Sequence, residues 1–497
     1  MSQGSVGEPT AVFLRLSGDS NDAVEQQREH YIRLLCADRR NSATRLADLA
    51  YASATNGPPG KYRIAVAGKS REELVESLRA APAAAAIPDR PRRVIFLFSG
   101  QGGQYPGMGA DLYRAVPVFR EAVDACQTIL ASWGFDEMLQ VIQGLQKGEE
   151  GTPSLEAEHT ALFALEYGLA RMWMAWGIRP DVVLGQSLGE YIALVCSGVL
   201  SLEDGLRLVY QRARLTRERC TPGSSGMLVV QADVATLEDA IRKYVGLSVA
   251  AYNSDTSAII GGDVEQIKLL ENVCKENGWW HRGIVIPYAY HTATMDPILD
   301  ELRDLGKTVT FAPPTIPIVS AVHGVVVEAG STSVFTSEYF AHHARRPVLF
   351  RESLYALAAR DPELASEGVW LEIGPHTTVL PLLKLHSAIQ KGYIPIMAAK
   401  DLVESTISQN KIAIFSKSYC PYCRRAKTLL TSKFPNVETK IYELDEMDEG
   451  SEIQSYLLDK TGQRTVPNIF INQKHVGGCD AVVGLDSKGE LARLVGA

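Results

Sequence analysis

Short runs of consecutive apolar residues recur along this chain, each running straight into glycine or polar turn residues. Val94-Ile95-Phe96-Leu97-Phe98, Val182-Val183-Leu184 and Val369-Trp370-Leu371-Glu372-Ile373 are the strongest, and runs of that length predict buried strands. Tyr62–Ala67, Gly226–Val230, Leu247–Ala250, Ala258–Gly262, Ile284–Ile286 and Lys411–Phe415 read as further strands. Between them the 3.6-residue period predicts helices over 155–176, an amphipathic one, and over 202–219, 236–244 and 263–277. Residues 1–9 read as a disordered lead, and 10–57 carry a helical pattern that Asn56-Gly57-Pro58-Pro59-Gly60 breaks. Ser70, with Glu73 three residues on, caps a helix, and residues 80–91, rich in Ala, Pro and Arg, read as a linker.

The alternation over 223–289 has the order of a split βαβ unit inserted into a larger strand-and-helix body. The expected organisation is a small α/β unit over 10–90, a main domain over 91–398 containing the insert at 223–289, a polar bridge at 399–410 and a separate unit over 399–497.

A chain of 497 residues is long enough for about three cores. With 46% hydrophobic and 22% charged residues it reads as soluble and globular. A net charge of −8 argues against a general nucleic-acid binder and offers no polybasic membrane patch. No apolar run reaches membrane-spanning length and no secretory signal is visible, so a cytoplasmic protein is expected. Five of the eight cysteines (Cys36, Cys126, Cys196, Cys220, Cys274) are scattered singly over the first 400 residues, the habit of reduced core thiols.

The chemistry concentrates at Asp181 to Tyr191, D-V-V-L-G-Q-S-L-G-E-Y. A strand, a tight turn flanked by Gly185 and Gly189 and a following helix expose Ser187 at the apex, the G-x-S-x-G arrangement. The glycine-rich loop Ser99–Gln104 follows a strand but lacks both the P-loop and the dinucleotide spacing, so it serves either to cradle a phosphate or to bring a backbone N–H to a reacting carbonyl. Arg207, Arg212, Arg214, Arg217 and Arg219 lie along one helix, most simply a solvated basic face.

G-Q-G-G-Q, G-Q-S-L-G-E-Y, Arg212 in Y-Q-R-A-R, Y-A-Y-H and L-E-I-G-P-H occur in this order over about 300 residues. The chain thereby resembles the acyltransferase domain of polyketide and fatty-acid synthases, the malonyl-CoA:acyl-carrier-protein transacylases, and residues 10–90 resemble the ketosynthase-to-acyltransferase linker of iterative type I polyketide synthases. The resemblance implies an α/β-hydrolase-like large subdomain (91–222 and 290–395) with an inserted ferredoxin-like small subdomain. It implies Ser187 as nucleophile towards a CoA thioester, His291 as its base, and the N–H groups of Leu188 and Gln101 as the oxyanion hole, with no further cofactor. Arg212 would pair with the free carboxylate of malonyl, and Tyr290 would crowd the α-carbon against a methyl branch, although Y-A-Y-H departs from the usual malonyl pattern H-A-F-H. His291 would be oriented by a carbonyl from His342 or His343, where the family carries Asn or Gln. His159 stands where the family often has glutamine, and no role is assigned to it.

The last hundred residues change character. Lys411–Phe415 is a strand, and Cys420-Pro421-Tyr422-Cys423 opens a helix, which reads as a redox pair, since zinc would need a second ligand pair. Lys417, Arg424 and Arg425 beside Cys420 lower a thiol pKa, while Cys423, one turn in, suits a resolving thiol. Thr465-Val466-Pro467 should carry a cis-proline facing the thiols, and Gly477-Gly478-Cys479-Asp480 starts the final helix. This part resembles a dithiol glutaredoxin of thioredoxin fold. The resemblance implies glutathione held by Lys417, Tyr422, Val466, Pro467 and Asp480, with Arg464 as a further contact; Cys479 is read as inert. Gly484-Leu485-Asp486-Ser487 matches the phosphopantetheine attachment pattern of carriers, but it lies in the closing helix without a carrier's bundle, so no carrier role is expected.

The expected function is malonyl transfer through Ser187 to an acyl carrier protein, supplied in trans or by a parent synthase, with a glutathione-dependent oxidoreductase attached. The rival is a serine esterase or acyl hydrolase, the glutaredoxin serving only as a fused folding partner.

Overall fold

The computed structural model describes every residue except 1–11, 38–45, 56–59, 88–90, 146–152, 285, 333, 387–392, 395–402, 404–405, 408–409, 436, 438, 446–449, 464 and 497. The chain divides into two compact units, Met1–Arg92 and Arg93–Ala497.

In the first unit β1 (Val12–Gly18), β2 (Tyr62–Gly68) and β3 (Ala85–Ala86) form an antiparallel sheet with β2 central. Helices Asn21–Ala37, Leu46–Thr55 and Arg71–Ala80 accompany it, and Leu14, Leu16, Ile64, Val66, Leu74 and Leu78 share its core. The helical reading of 10–57 is therefore corrected at its start. Val12, Leu14 and Leu16 alternate buried with more exposed neighbours, the period of a strand, and pair with β2 over its whole length. Part of the expected linker, Ala85–Ala86, is the short third strand. Ser70 accepts the Glu73 N–H, as a capping residue should.

The second unit opens with β4 (Val94–Phe98) and β5 (Val182–Gly185). Next comes the insert, β6 (Ser225–Gln231), β7 (Ser248–Ser254), β8 (Ser257–Asp263) and β9 (Trp280–Ile284). β10 (Ile318–Ser320), β11 (Val325–Val327), β12 (Val369–Ile373) and β13 (Tyr393–Ile394) return to the main sheet, whose order is β11-β10-β5-β4-β12-β13. All its neighbours are parallel except the edge hairpin β10–β11. Phe96 and Phe98 enter one core, with Phe119, Phe163 and Tyr191, while Ile95, Leu97, Val182 and Leu184 enter another with Trp370 and Phe350. Burial on both faces is why these strands read as unbroken apolar runs. Helix Leu155–Ala175 is not the amphipathic element expected: it is buried on most of its surface, polar Glu156, His159, Thr160 and Glu166 included.

The insert is an antiparallel sheet of order β7-β8-β6-β9 with helices Val234–Ile241 and Val264–Asn277, the βαββαβ arrangement of a ferredoxin-like unit. Its last strand is Trp280–Ile284 rather than 284–286. It is an exposed edge strand, so it has no need of an apolar run. A fourth sheet follows: β14 (Ile412–Ser416), β15 (Thr439–Glu443), β16 (Asn468–Ile471) and β17 (Lys474–Gly477), ordered β15-β14-β16-β17 and flanked by helices Pro421–Lys433 and Cys479–Ser487, a thioredoxin-type layer. Most of the expected bridge at 399–410 lies outside the described residues. No helix of the described residues is long and apolar enough to cross a membrane.

Two tight approaches shape the C-terminal ends of β4 and β5. A Cβ on Gly189 would lie 2.5 Å from the carbonyl oxygens of Phe98 and Ser99, and one on Gly100 would lie 2.9 Å from the Gln186 carbonyl oxygen. Gly189→Ala is therefore expected to destabilise the second unit by about 1–3 kcal/mol, the usual range for overpacking. Denaturant unfolding of the variant checks this, and an unchanged midpoint would contradict it.

Candidate active site

Strand β5 ends at Gly185, and the chain turns through Gln186 and Ser187 into helix Gly189–Cys196. Ser187 has φ 51°, the left-handed region that a non-glycine residue enters at a cost of about 1–3 kcal/mol. Its Oγ lies 2.7 Å from Nε2 of His291, which also has positive φ, at 63°. For the hydroxyl to donate, Nε2 must carry the lone pair, so the imidazole proton sits on Nδ1. Burial first, then the Arg212 charge, pushes His291 down to about 3, against the opposing influence of the His343 and Arg346 backbone carbonyls. The ring is therefore neutral at physiological pH, and able to accept a proton.

Neither the Leu188 N–H nor the Gln101 N–H has an intramolecular acceptor among the described residues. Leu188 precedes the first turn of helix Gly189–Cys196, and Gln101 follows Gly100, which the approach to Gln186 holds against the serine turn. Two free N–H groups beside a nucleophile suit a developing oxyanion. Of the two uses open to the glycine loop, this is the one its surroundings favour.

Of the neighbouring histidines, His343 lies in the site. It is buried, and its Nε2–H donates to the Ser187 carbonyl oxygen at 2.8 Å. His342 instead faces Arg346 at 3.1 Å. The His343 imidazole stands edge-on to His291 with ring centroids 5.5 Å apart, so its ring supports the serine turn. The His343 and Arg346 carbonyls lie near enough to favour the charged form of His291, but its Nδ1 makes no hydrogen bond of ordinary geometry. Beneath them Glu190 is buried, accepting from the Tyr339 hydroxyl at 2.5 Å and the Ala321 N–H at 3.0 Å, and burial raises it to about 7.

The arginine helix Leu202–Arg219 is not uniformly a solvated face. Arg207, Arg214, Arg217 and Arg219 pair with Asp204, Glu218, Glu156 and Glu301. Arg212 is fully buried, and its Nε, Nη1 and Nη2 all lack a hydrogen-bond partner. The guanidinium lies 4.6 Å above the ring of Tyr290, which is also buried. His159 completes the cluster: it is 1% exposed, its Nε2 meets the Gln101 carboxamide nitrogen, and its ring is 6.1 Å from Tyr290.

A second site lies at the start of helix Pro421–Lys433, which Cys420 caps. The Cys423 N–H points at Cys420 Sγ at 3.4 Å, and the Lys417 N–H at Cys423 Sγ at 3.4 Å. Burial alone would raise the Cys420 thiol, but the backbone N–H groups of Cys423 and Tyr422, the Cys423 thiol and the Lys427 charge bring it below its ordinary value. Burial pushes Cys423 up to about 11. The charge that acts most on Cys420 is thus Lys427, further along the helix than the expected Arg424 and Arg425. The Val466–Pro467 bond is cis, and the Val466 carbonyl is 3.9 Å from Cys420 Sγ. Lys417 is half-buried, and Tyr422 and Asp480 are exposed. Asp480 lies in the first turn of helix Cys479–Ser487, which is not the final helix as expected because Leu491–Val495 follows it; Arg464 lies outside the described residues. Cys479 is buried, and Gly484–Ser487 closes helix Cys479–Ser487.

A family model described as acyl transferase domain matches residues 95–393, and one described as glutaredoxin matches 412–476. The chain belongs to the acyl transferase domain family. It is 37% identical over 391 residues to the orsellinic acid synthase armB of Armillaria mellea, covering 78% of this chain and 18% of that protein. It is 33% identical over 406 residues to the non-reducing polyketide synthase stmB of Aspergillus ustus, covering 81% and 19%. The chain thus spans under a fifth of the length of these relatives. Among solved structures, the acyl transferase domain of SpnD in complex with 2-(pent-4-yn-1-yl)malonyl superposes with TM-score 0.66 at 32% identity, covering 80% of this chain and 93% of that one. The acyl transferase domain of ZmaA gives TM-score 0.66 at 29% identity.

Reading the sequence left His159 without a role and left His342 and His343 open, and the structure buries His159 against Gln101 and turns His343 towards Ser187. The signal for both was a histidine standing where the family carries an amide side chain. Two outcomes follow from the electrostatics. The imidazole Cε1–H resonance that disappears in His291→Gln should not titrate between about pH 5 and 8, because a depressed pKa leaves the ring neutral there; NMR titration checks this, and a midpoint near the ordinary value would contradict it. Iodoacetamide at neutral pH should alkylate Cys420 well before Cys423, since the thiolate is the reacting form; peptide mapping reads the order, and Cys423 reacting first would contradict it.

Proposed function

We propose that residues 91–398 transfer a malonyl unit from malonyl-CoA to the phosphopantetheine thiol of an acyl carrier protein, through an acyl-Ser187 intermediate, in polyketide biosynthesis. The observation that carries the reading is Arg212, a buried guanidinium with no protein partner close to the nucleophile and base. A buried cation left unpaired is expensive, so the site is built for an anion to arrive. A bidentate guanidinium matches a planar carboxylate.

His291 takes the Ser187 proton as Oγ attacks the thioester carbonyl. The Leu188 and Gln101 N–H groups hold the oxyanion, and CoA leaves as its thiol after His291 returns the proton. A carrier thiol then attacks the acyl-serine by the same route in reverse. The substrate's own charge assists. A carboxylate on Arg212 offsets the positive charge that depresses His291, so the base strengthens when a dicarboxylic acyl group is bound. Tyr290, held against Arg212, narrows the space at the acyl α-carbon, favouring malonyl over a methyl-branched unit by about 1–3 kcal/mol.

The 399–497 domain reduces glutathione mixed disulfides. The Cys420 thiolate attacks the glutathione sulfur and the substrate leaves as its thiol. Cys423 then displaces glutathione as its thiol, and two further glutathione molecules reduce the resulting Cys420–Cys423 disulfide and leave as their own disulfide. Glutathione is held by Lys417, Tyr422, Val466, Pro467 and Asp480, in a reducing, cytoplasmic setting. Residues 10–90 serve as the linker unit that precedes an acyl transferase domain in a synthase.

Intact-mass spectrometry of the reduced chain after brief incubation with malonyl-CoA, acetyl-CoA and methylmalonyl-CoA tests the acyl transfer. A malonyl adduct that is absent in Ser187→Ala is the expected result. An acetyl adduct without malonyl would overturn the role given to Arg212, and free acid accumulating without any adduct would favour an acyl hydrolase.

A further inference from the structure

The mechanism uses Gln101 through its backbone and leaves its side chain and His159 without a task. His159 projects from the buried helix Leu155–Ala175, and its Nε2 meets the Gln101 carboxamide nitrogen. Tyr290 lies beside it and carries the Arg212 guanidinium on its ring face. Four elements distant in the chain thus converge on one cluster. Its polar atoms are left unpaired in a consistent way: Nδ1 of His159 and the three guanidinium nitrogens of Arg212 are all buried without a partner.

The contact with Gln101 sets the tautomer. A carboxamide nitrogen only donates, so the Nε2 that faces it carries the lone pair, and the proton of a neutral ring sits on Nδ1. Neutral is the state favoured here, because burial and then the Arg212 charge hold His159 well below its ordinary value. The cluster therefore holds an unpaired Nδ1–H within the field of an unpaired guanidinium. An unsatisfied buried donor costs about 1–3 kcal/mol, so a ligand that supplies an acceptor regains that amount. A planar monoanion with two acceptor oxygens complements one positive charge together with a further donor. A phosphate, with charge near −2 at neutral pH, would leave the pocket uncompensated.

Resting on the malonyl reading above, we infer that His159 is a specificity-determining residue of the acyl pocket: its Nδ1–H donates to the free carboxylate that Arg212 neutralises, and the Gln101 carboxamide holds the tautomer that makes this possible. An acetyl group offers no such oxygen and leaves both donors unpaired. Rejection by unpaired polar groups is far steeper than rejection by pocket size.

The test compares Ser187 acylation by malonyl-CoA and acetyl-CoA in the full chain for the unsubstituted protein, His159→Leu and His159→Gln. His159→Leu should lower the malonyl-to-acetyl ratio of kcat/KM by about tenfold or more, chiefly through KM for malonyl-CoA, while His159→Gln, whose carboxamide still donates, should stay within roughly threefold. Equal loss with both substrates, or an unchanged ratio, would overturn the inference, because a residue that merely supports the Gln101 loop affects both. A protein that takes up no malonyl before any substitution would sink the malonyl reading and this inference with it. Unsubstituted loading with an unchanged ratio in His159→Leu would sink the inference alone. A second reading needs no substitution: a long-range proton–nitrogen NMR spectrum should place the His159 proton on Nδ1 and shift with added malonate but not with acetate. A proton on Nε2 would overturn the assignment.

Discussion

The helix that follows Ser187 can begin only where its backbone touches the end of the neighbouring strand. Gly189 stands against the carbonyl oxygens of Phe98 and Ser99, closer than any side chain permits. That contact makes the serine turn and the glycine loop one rigid body. It holds the free N–H groups of Leu188 and Gln101 in a common frame and keeps Ser187 in a left-handed conformation with Oγ aimed at His291. The strain is offset locally, since His343 donates to the Ser187 carbonyl and is itself seated against Tyr191 and above the buried Glu190 carboxylate. Preorganisation of this kind leaves little to rearrange when charge develops on a substrate oxygen.

Around that frame one uncompensated charge governs the chemistry. Burial first, and then the Arg212 charge among others, lowers His291, His343 and His159 together, so this cluster rests with a buried cation and neutral imidazoles. Such a state is costly in isolation and becomes favourable once an anion enters. In the proposed reading, recognition of the substrate and the strength of the base are two consequences of the same ion pair. Tyr290 helps the cation tolerate its burial by offering a ring face, which solvates weakly and leaves the hydrogen-bonding edge of the guanidinium free.

The two sites of this chain use one device in different chemistry. Ser187 and Cys420 each sit at the entry to a helix, where backbone N–H groups are unpaired by helical geometry. At Ser187 those groups are left free beside the hydroxyl, where the proposed function places an oxyanion. At Cys420 they draw the thiol below its ordinary value, whereas burial pushes the partner thiol of Cys423 up.

The strand-turn-helix at Ser187, the glycine loop, the cysteine pair and the cis Val466–Pro467 were legible in the residues, because each depends on local backbone geometry that only a few residue types permit. So was the ferredoxin-like order of the insert, which follows from hydrophobic runs and breaks. The strand at Val12–Gly18 and the edge strand Trp280–Ile284 were not, since a half-exposed strand needs no apolar run and is defined by its partner. The same reason divides the site. Sequence placed five arginines on one helix, but which of them lacks a carboxylate depends on Glu156 and Glu301 arriving from elsewhere. It offered two adjacent histidines, and only packing turned His343 inward. It left His159 without a role, 58 positions from the Gln101 whose carboxamide its imidazole meets. Local chemistry is written in neighbouring residues, whereas an unpaired buried group is defined by everything folded around it, and that is what the tertiary structure alone decided.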